Sequence, residues 1–250
     1  RHLTNICLYV VNPLLILSCF NMDYDPDDLR RFFLGLAIGT VVLFAGILFS
    51  FFAFIKCDRK TVASERFGIV FPNSGFLGIP LMIHMFGPIG GFYGSAFNIA
   101  FNILNWTFGV SILGRTNKEK GIIGILKLFN NPFFYCLGIG LVMYVTKLHF
   151  PGTIQTAVDN IGSMTSPIAM MVSGMYLAQA NVLKAFTDPR IYYICFFRLI
   201  AVPLASLGIL KLIGLDYTLA MSMMIAAAAP TAATTIFFSN DIPERLKRSR

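Results

Sequence analysis

The chain has 250 residues, of which 56% are hydrophobic and 13% are charged, with a formal net charge of +8. Soluble domains average about 45–50% apolar and about 25% charged residues, so the polar surface of this chain is too small to cover a globule. The composition therefore excludes a soluble enzyme, a disordered chain and a nucleic-acid binder. It indicates a protein that crosses the membrane several times.

Eight apolar stretches, separated by short polar breaks, are predicted as membrane-spanning helices. In chain order, they are 3–22, 32–55, 67–86, 91–113, 132–148, 153–178, 190–211 and 216–238. Several contain proline or glycine in mid-run, which membrane helices tolerate where neighbours or water satisfy the freed backbone groups. The five cysteines are scattered without metal-ligand spacing, and we expect them to be reduced apolar fillers.

The basic residues alternate between the breaks and predict the orientation of the chain. Fifteen of the 20 lysines and arginines fall on one side of the predicted membrane, four fall on the other, and Arg198 lies inside a segment. Cytoplasmic loops of membrane proteins carry an excess of Lys and Arg. We therefore expect the richer side, which includes the loop 114–131, to be cytoplasmic, and the protein to lie in the cell (inner or plasma) membrane.

Pairs of proline-bearing segments predict an internal repeat. Pro13 and Pro167 are 154 residues apart, and Pro80 and Pro230 are 150 residues apart. The members of each pair are five segments apart, so the two copies would cross the membrane in opposite directions, as in the inverted repeats of secondary transporters. Chance pairing among 12 prolines is the alternative. Extending the repeat predicts ten helices in two sets of five, of which this chain lacks the first and the last.

The third segment, RFGIVFPNSGFLGIPLMIHMFG, has helix-breaking residues in its middle. Pro72 and Pro80 each remove a backbone donor, and the glycines add backbone freedom. We predict two half-helices joined by an unwound stretch near 73–79, with Pro80 in the first turn of the second half. Amides at such a helix start favour an anion, and Asn73 adds a side-chain donor and acceptor. A kinked helix packed through its glycines is the alternative.

The eighth segment is the predicted partner of the third in the repeat. Four alanines precede Pro230, and Thr231 follows it. Small residues allow helices to cross closely, and threonines can satisfy freed carbonyls. Because secondary transporters bind substrate where two broken helices meet near mid-membrane, we expect the binding site at this crossing.

Two further polar features fall inside predicted helices. Asn98, Asn102 and Asn105 share one helix face, which fits either a polar wall of the substrate site or hydrogen bonds between helices. Arg198 lies nine residues beyond Pro189, about 13 Å into its helix at 1.5 Å per residue. It is expected to meet a substrate carboxylate, to bond backbone carbonyls, or to extend to the cytoplasmic face.

Several stretches resemble the auxin efflux carrier family. FPNSGFLGIPLM is similar to the family's broken fourth helix, and FNNPFFYCLGIGL to the start of its sixth. MTSPIAMMVSGMYLA resembles the seventh helix, whereas PRIYYICFFRLIAVPL and AAAAPTAATTIFFS resemble the eighth and ninth helices of bacterial members. The resemblance covers about residues 3 to 240, and the short loops favour the bacterial permease branch.

The resemblance implies an all-α polytopic membrane protein with inverted five-helix repeats, two broken crossover helices and the fold of the bile-acid sodium symporter, with eight of ten helices present. It implies scaffold helices in 1–31 and 132–178, and transport-domain helices in 32–113 and 179–250, with 114–131 as a cytoplasmic loop. The broken helices are then those at 67–86 and 216–238, and the last helix is missing. In this family the transport domain moves against the scaffold like an elevator, and homodimers form through the scaffold.

The same resemblance implies a secondary transporter, a permease or efflux carrier for a small organic anion. The family's crossover prolines correspond to Pro80 and Pro230, and the asparagine that meets the substrate carboxylate in plant carriers corresponds to Asn73. Because 32–55 holds no acidic residue to match the support residue of plant carriers, a mono- or dicarboxylate such as malate or malonate is expected rather than auxin. The predicted substrate-binding residues are Asn73, Ser74, Gly75, Gly78, Pro80, Asn102, Asn105, Arg198, Pro230 and Thr231.

The sequence contains no nucleophile–base pair, phosphate-binding loop or zinc-ligand spacing. We therefore expect no enzyme activity, no catalytic residue, no cofactor and no metal, and the coupling ion, H+ or Na+, stays open. A membrane sensor or receptor that binds a small anion on a transporter-like fold is the alternative function. The expected partners are the substrate anion, the lipid bilayer and a second copy of the chain, with no nucleic acid.

Overall fold

The computed structural model of the protein describes residues 2–54, 62–109, 132–179 and 186–232. Within these ranges the regular structure is helical and includes no strand, which confirms the prediction of an all-α protein. The helices are, in chain order, α1 (Leu3–Cys19), α2 (Pro26–Ala53), α3 (Ala63–Val70), α4 (Ser74–Phe86), α5 (88–109), α6 (Pro132–Thr146), α7 (Gly152–Ser163), α8 (Thr165–Gln179), α9 (Pro189–Ile213) and α10 (Tyr217–Ala228).

Each predicted segment has a helical counterpart in its described part. The third segment is interrupted between α3 and α4, and the sixth is divided at Met164 into α7 and α8. By length and composition, α2 and α9 are long and apolar enough to cross a membrane, and α1, α4, α6 and α10 are shorter apolar helices. The predicted loop 114–131 and the end of the eighth segment lie outside the described residues.

Aspartates fix the start of three helices. Asp25, Asp188 and Asp216 each accept a hydrogen bond from the backbone N–H two residues later, at 2.9, 2.9 and 3.2 Å. Each bond satisfies one of the amides that a helix start leaves unpaired. At the far end of α9, Gly214 has a φ of 68°, which lets the helix end in a left-handed turn before α10 begins.

Two groups of helices pack closely. In the first group, α1 packs against α6 and α7. In the second group, α5 is central and contacts α2, α4 and α10, and α9 packs against α10. Glycine permits the close approach in the first group, since a Cβ at Gly140 would lie 2.9 Å from the Phe20 ring and one at Gly162 would lie 3.0 Å from the Leu15 Cα. Helices in membranes associate through such small residues.

An aromatic cluster joins the two groups. The Phe92 ring of α5 lies 5.0 Å from that of Phe20, 4.7 Å from that of Phe32 and 4.9 Å from that of Tyr144, measured between centroids. All four side chains are buried, and each such ring pair contributes about 0.5–1.5 kcal/mol beyond its buried area. Tyr144 also accepts a hydrogen bond of 3.0 Å from the Asp25 amide. The cluster therefore ties α6 to the start of α2.

Large apolar side chains remain on the outer surface of several helices. Phe52 on α2, Val142 on α6, Met171 on α8 and Leu204 on α9 are each more than half exposed. Water-soluble monomers do not expose apolar surface on this scale. Their exposure fits an outer surface that faces the lipid tails of a membrane.

Candidate substrate site at the helix crossing

Two interrupted helices meet where their chains become extended. Residues 71–73 follow α3 and residues 229–232 follow α10, and the two stretches pair in antiparallel fashion through a β-bridge between Pro72 and Thr231. Two backbone hydrogen bonds of 2.7 and 2.9 Å join them, from the Asn73 amide to the Pro230 carbonyl and from the Ala232 amide to the Phe71 carbonyl. The third and eighth segments therefore cross, as the sequence predicts.

The position of the break differs from the prediction. The unwound stretch is 71–73 rather than 73–79, and the residue at the crossing is Pro72 rather than Pro80. The second half-helix already begins at Ser74 with a π-helical turn, and Pro80 lies in the α-helical turn that follows. At the junction between a π turn and an α turn the hydrogen-bond register changes, so the amide that proline lacks is tolerated there.

A cavity of about 270 Å³ lies beside the crossing. It is lined by five amide side chains, five aromatic rings and four small or aliphatic residues. The amides are Asn12, Asn73, Asn98, Asn102 and Asn105, and the other lining residues are Leu8, Tyr9, Pro72, Gly75, Phe76, Phe101, Trp106, Phe133 and Ala232. None of these lining residues carries a charge.

The helices that line the cavity widen into π-helical turns beside it. The turns are Cys7–Val11 in α1, Ser74–Gly78 in α4 and Asn105–Gly109 in α5, and each contributes lining residues. A π turn leaves backbone groups with altered partners and is enriched at functional sites. The coincidence of three such turns at one cavity marks this region as the candidate site.

The asparagines of the wall differ in how they are held. Ser74 Oγ donates to Asn98 Oδ1 at 3.3 Å, and Asn102 Nδ2 donates to the Asn98 carbonyl at 2.8 Å. In contrast, the Oδ1 atoms of Asn12 and Asn105 are buried without a hydrogen-bond partner among the described residues. An unpaired buried polar group costs about 1–3 kcal/mol, and an amide can present either its oxygen or its NH2 group. These two side chains therefore have hydrogen-bonding capacity that the described residues leave unused.

Four of the ten predicted residues line the cavity, namely Asn73, Gly75, Asn102 and Asn105. Ser74 is fully buried behind the wall, where it holds Asn98. Gly78 packs towards α10, since a Cβ there would lie 3.7 Å from the Ala226 Cα. Neither Gly78 nor Pro80 contributes to the lining.

The predicted residues of the eighth segment support the crossing rather than line the cavity. Pro230 accepts the Asn73 amide through its carbonyl, and Thr231 Oγ1 donates to the Gly68 carbonyl of α3 at 3.0 Å. Arg198 is 2% exposed and does not line the cavity. Its side chain donates to backbone carbonyls, which is one of the three roles that the sequence left open.

Two asparagines of the wall were outside the predicted set. Asn98 shares the helix face of Asn102 and Asn105, so its spacing carried the signal. Asn12 interrupts the apolar run NICLYVVNPLLIL directly before a proline, and a polar residue in the middle of such a run is the signal that identifies it. Trp106 and Phe133 gave no signal, because aromatic residues are frequent throughout this sequence.

The crossing of two broken helices, the polar cavity beside it and the apolar outer surface define a membrane protein of the transporter class. Residues 1–242 match the family model described as "Membrane transport protein". The chain belongs to this family, the auxin efflux carrier family, which confirms the resemblance seen in its sequence. It is also 24% identical over 247 residues to an uncharacterized transporter of Methanocaldococcus jannaschii, and the match covers 94% of this chain and 77% of that relative.

Proposed function

We propose that the protein is a secondary transporter that carries a small organic monoanion, a monocarboxylate, through the cavity at the helix crossing. The observation that carries this proposal is the uncharged, amide-lined cavity beside the start of α4. Membership of a transporter family supports the general activity.

The size of the cavity favours a small substrate. Its volume of about 270 Å³ lies just below the range of about 300–1,000 Å³ that is usual for drug-sized ligands. The rings of Tyr9, Phe76, Trp106 and Phe133 line it, so an apolar body on the substrate finds matching surface. We propose a carboxylate that carries a compact apolar group.

The charge of the wall favours one carboxylate over two. No Lys, Arg or His lines the cavity in the part of the chain that the structure describes, so the compensation for a negative charge comes there from amide donors and from the first turn of α4, to which Gly75 and Phe76 belong. A helix N-terminus supplies roughly half an elementary charge. A second carboxylate would lose its hydration without a matching cation, which costs several kcal/mol. We therefore propose that malate and malonate are poorer substrates than monocarboxylates.

The position of the cavity supports an elevator-type mechanism. Asn12 of α1 and Phe133 of α6 belong to one packing group, whereas Asn73 and Asn105 belong to the other, and all four line the cavity. A substrate bound there contacts both groups, so movement of one group against the other changes its access. We propose that the first group, together with α8, forms the scaffold and the homodimer surface. We also propose that the protein lies in the cell membrane with its basic loops on the cytoplasmic side.

Binding can be measured with the chain's own fluorophore. Trp106 is the single tryptophan of the chain and lines the cavity, so ligands that enter should change its emission. Titration of the purified full-length protein should saturate at lower concentrations of monocarboxylates than of dicarboxylates. Asn73→Ala should weaken binding at least about tenfold, whereas Asn160→Ala, at an exposed position of α7, should not. Equal responses in both variants would contradict the proposed site.

Flux separates transport from sensing. The full-length protein in liposomes should move the carboxylates that it binds, and the Asn73→Ala variant should move them more slowly. Binding without flux would favour the sensor or receptor alternative. Absence of both binding and flux for all carboxylates would refute the proposed substrate class.

A further inference from the structure

A cation is buried where the C-terminal ends of the two broken half-helices converge. Arg198 lies in a π-helical turn of α9 and is 2% exposed. Its Nε donates to the Ala229 carbonyl at 3.0 Å, its Nη1 to the Ile69 carbonyl at 3.1 Å, and its Nη2 to the Ala227 carbonyl at 2.7 Å and again to that of Ala229. One side chain thus bonds the ends of both α3 and α10.

The charge of the guanidinium matches these two helix ends. The last carbonyls of a helix have no partner within it, and each helix C-terminus carries roughly half a negative elementary charge. Two such ends therefore present about one negative charge, which one guanidinium balances. Within the described ranges no carboxylate forms an ion pair with Arg198, so the backbone ends themselves act as its counter-charge.

The same ends are the places where a transporter would hold a soluble cation. In transporters with broken helices, carbonyls of unwound backbone and of half-helix C-termini coordinate the coupling ion. Here the carbonyls of Ile69, Ala227 and Ala229 are already occupied by the donors of Arg198. We infer that Arg198 is a tethered counter-charge that takes the place of a soluble metal cation at this end of the crossing.

The tether also joins three helices into one unit. Besides Arg198, the Arg190 side chain of α9 forms a salt bridge of 2.7 Å with Glu65 of α3, and Thr231 bonds the Gly68 carbonyl. A soluble ion binds and leaves with each transport cycle, whereas a tethered guanidinium stays in place. The crossing is therefore preassembled, and binding and transport of the substrate need no Na+. The transport part of the inference rests on the proposed function.

Thermal unfolding tests the tether without any substrate. In the full-length protein, Arg198→Ala should lower the melting temperature, because three buried carbonyls lose their donor, and millimolar guanidinium should restore part of the loss. Lys211→Ala, the control, removes an exposed cation from the same helix. It should leave the melting temperature unchanged, and guanidinium should not raise it. Arg198→Lys, which keeps the charge but not the planar fork, should melt between Arg198→Ala and the parent.

Three results of this assay would overturn the inference. In the first, the Arg198→Ala variant is as stable as the parent. In the second, guanidinium stabilises the parent as much as it stabilises the variant. In the third, Na+ stabilises the parent protein more than choline does. If Arg198→Ala yields no folded protein, the Arg198→Lys variant carries the test, and stability equal to that of the parent without the fork's bonds would count against the proposed geometry.

Transport adds a second arm with distinguishable failures. Uptake by the parent protein should change by less than about twofold when choline replaces all Na+, and Arg198→Ala should reduce uptake at least about tenfold. Uptake that collapses without Na+ would overturn the tether while leaving the proposed transporter function intact. Absence of carboxylate flux in the parent would refute the proposed function, while the unfolding experiment would still decide on the tether.

Discussion

Replacing Gly140 by alanine should loosen the contact between α1 and α6, whereas the same change at Gly138, two residues earlier on α6, should not. A Cβ at Gly140 would lie 2.9 Å from two ring carbons of Phe20 and 3.0 Å from its Cβ. The Phe20 ring cannot simply turn aside, because it packs edge-on against Phe32 and Phe92. Overpacking of this kind costs about 1–3 kcal/mol.

Gly138 is the control position, because its replacement by alanine changes helix propensity without creating a steric clash. A Cβ at Gly138 would have no neighbour within 4 Å, so Gly138→Ala gains only the helix propensity of alanine, about 0.5–1 kcal/mol. Gly140→Ala gains the same amount and pays the overpacking cost. The difference in unfolding free energy between the two variants is therefore the overpacking cost itself, about 1–3 kcal/mol.

Helical circular dichroism of the detergent-solubilised protein, followed during denaturant unfolding, measures this difference. Gly138→Ala should be as stable as the parent or more stable, and Gly140→Ala should be less stable. In the background of Gly140→Ala, Phe20→Leu should cost less than it does alone, because the smaller side chain leaves room for the new methyl group. A Gly140→Ala variant at least as stable as Gly138→Ala would refute the close packing of α1 on α6.

The hydrogen bonds at the crossing and at the start of α10 give two further predictions. Thr231→Val should destabilise the protein by about 1 kcal/mol, because the Gly68 carbonyl loses its donor. Thr156→Val, on the exposed face of α7, is the control. Equal losses of stability in the two variants would contradict a role of Thr231 at the crossing. Asp216→Ala should cost about 1 kcal/mol through loss of the N-cap of α10. Asp216→Asn should restore most of that stability, and an asparagine variant as unstable as alanine would refute the capping role.

The sequence predicts most of the helices because their signal is local. Apolar runs of about 20 residues mark membrane helices, and Asp-Pro marks the starts of α2 and α9. The two helices that cross are also predictable, because each carries a proline among small residues. The inverted relation between the two halves stays a prediction.

The exact point of the break is not a local property. Pro72 and Pro80 lie in the same segment, and either can interrupt a helix. In the structure the helix is interrupted at Pro72. There the Asn73 amide and the Phe71 carbonyl form hydrogen bonds with Pro230 and Ala232, which follow the other broken helix. Those partners are some 160 residues away, so the choice between the two prolines depends on tertiary contacts that the segment does not encode.

The sequence predicts some of the asparagines that line the candidate site, but not all of them. Asn102 and Asn105 follow from helical spacing, whereas Asn12 joins them from a helix near the start of the chain only through packing. The role of Arg198 also depends on distant partners. Backbone carbonyls have no sequence signature, so the sequence alone leaves three roles open for Arg198: carbonyl bonding, substrate binding and extension to the cytoplasmic face.

The bridge between the two broken helices is made by main-chain atoms alone. Mutation of Phe71 or Ala232 changes a side chain but leaves the bonded carbonyl or amide in place, so these two bonds do not depend on which side chain stands at either position. Asn12 and Asn105 face the cavity from other helices, so these two side chains can change independently of that bridge. Substrate preference can therefore evolve by single replacements in the wall, without the crossing having to be rebuilt.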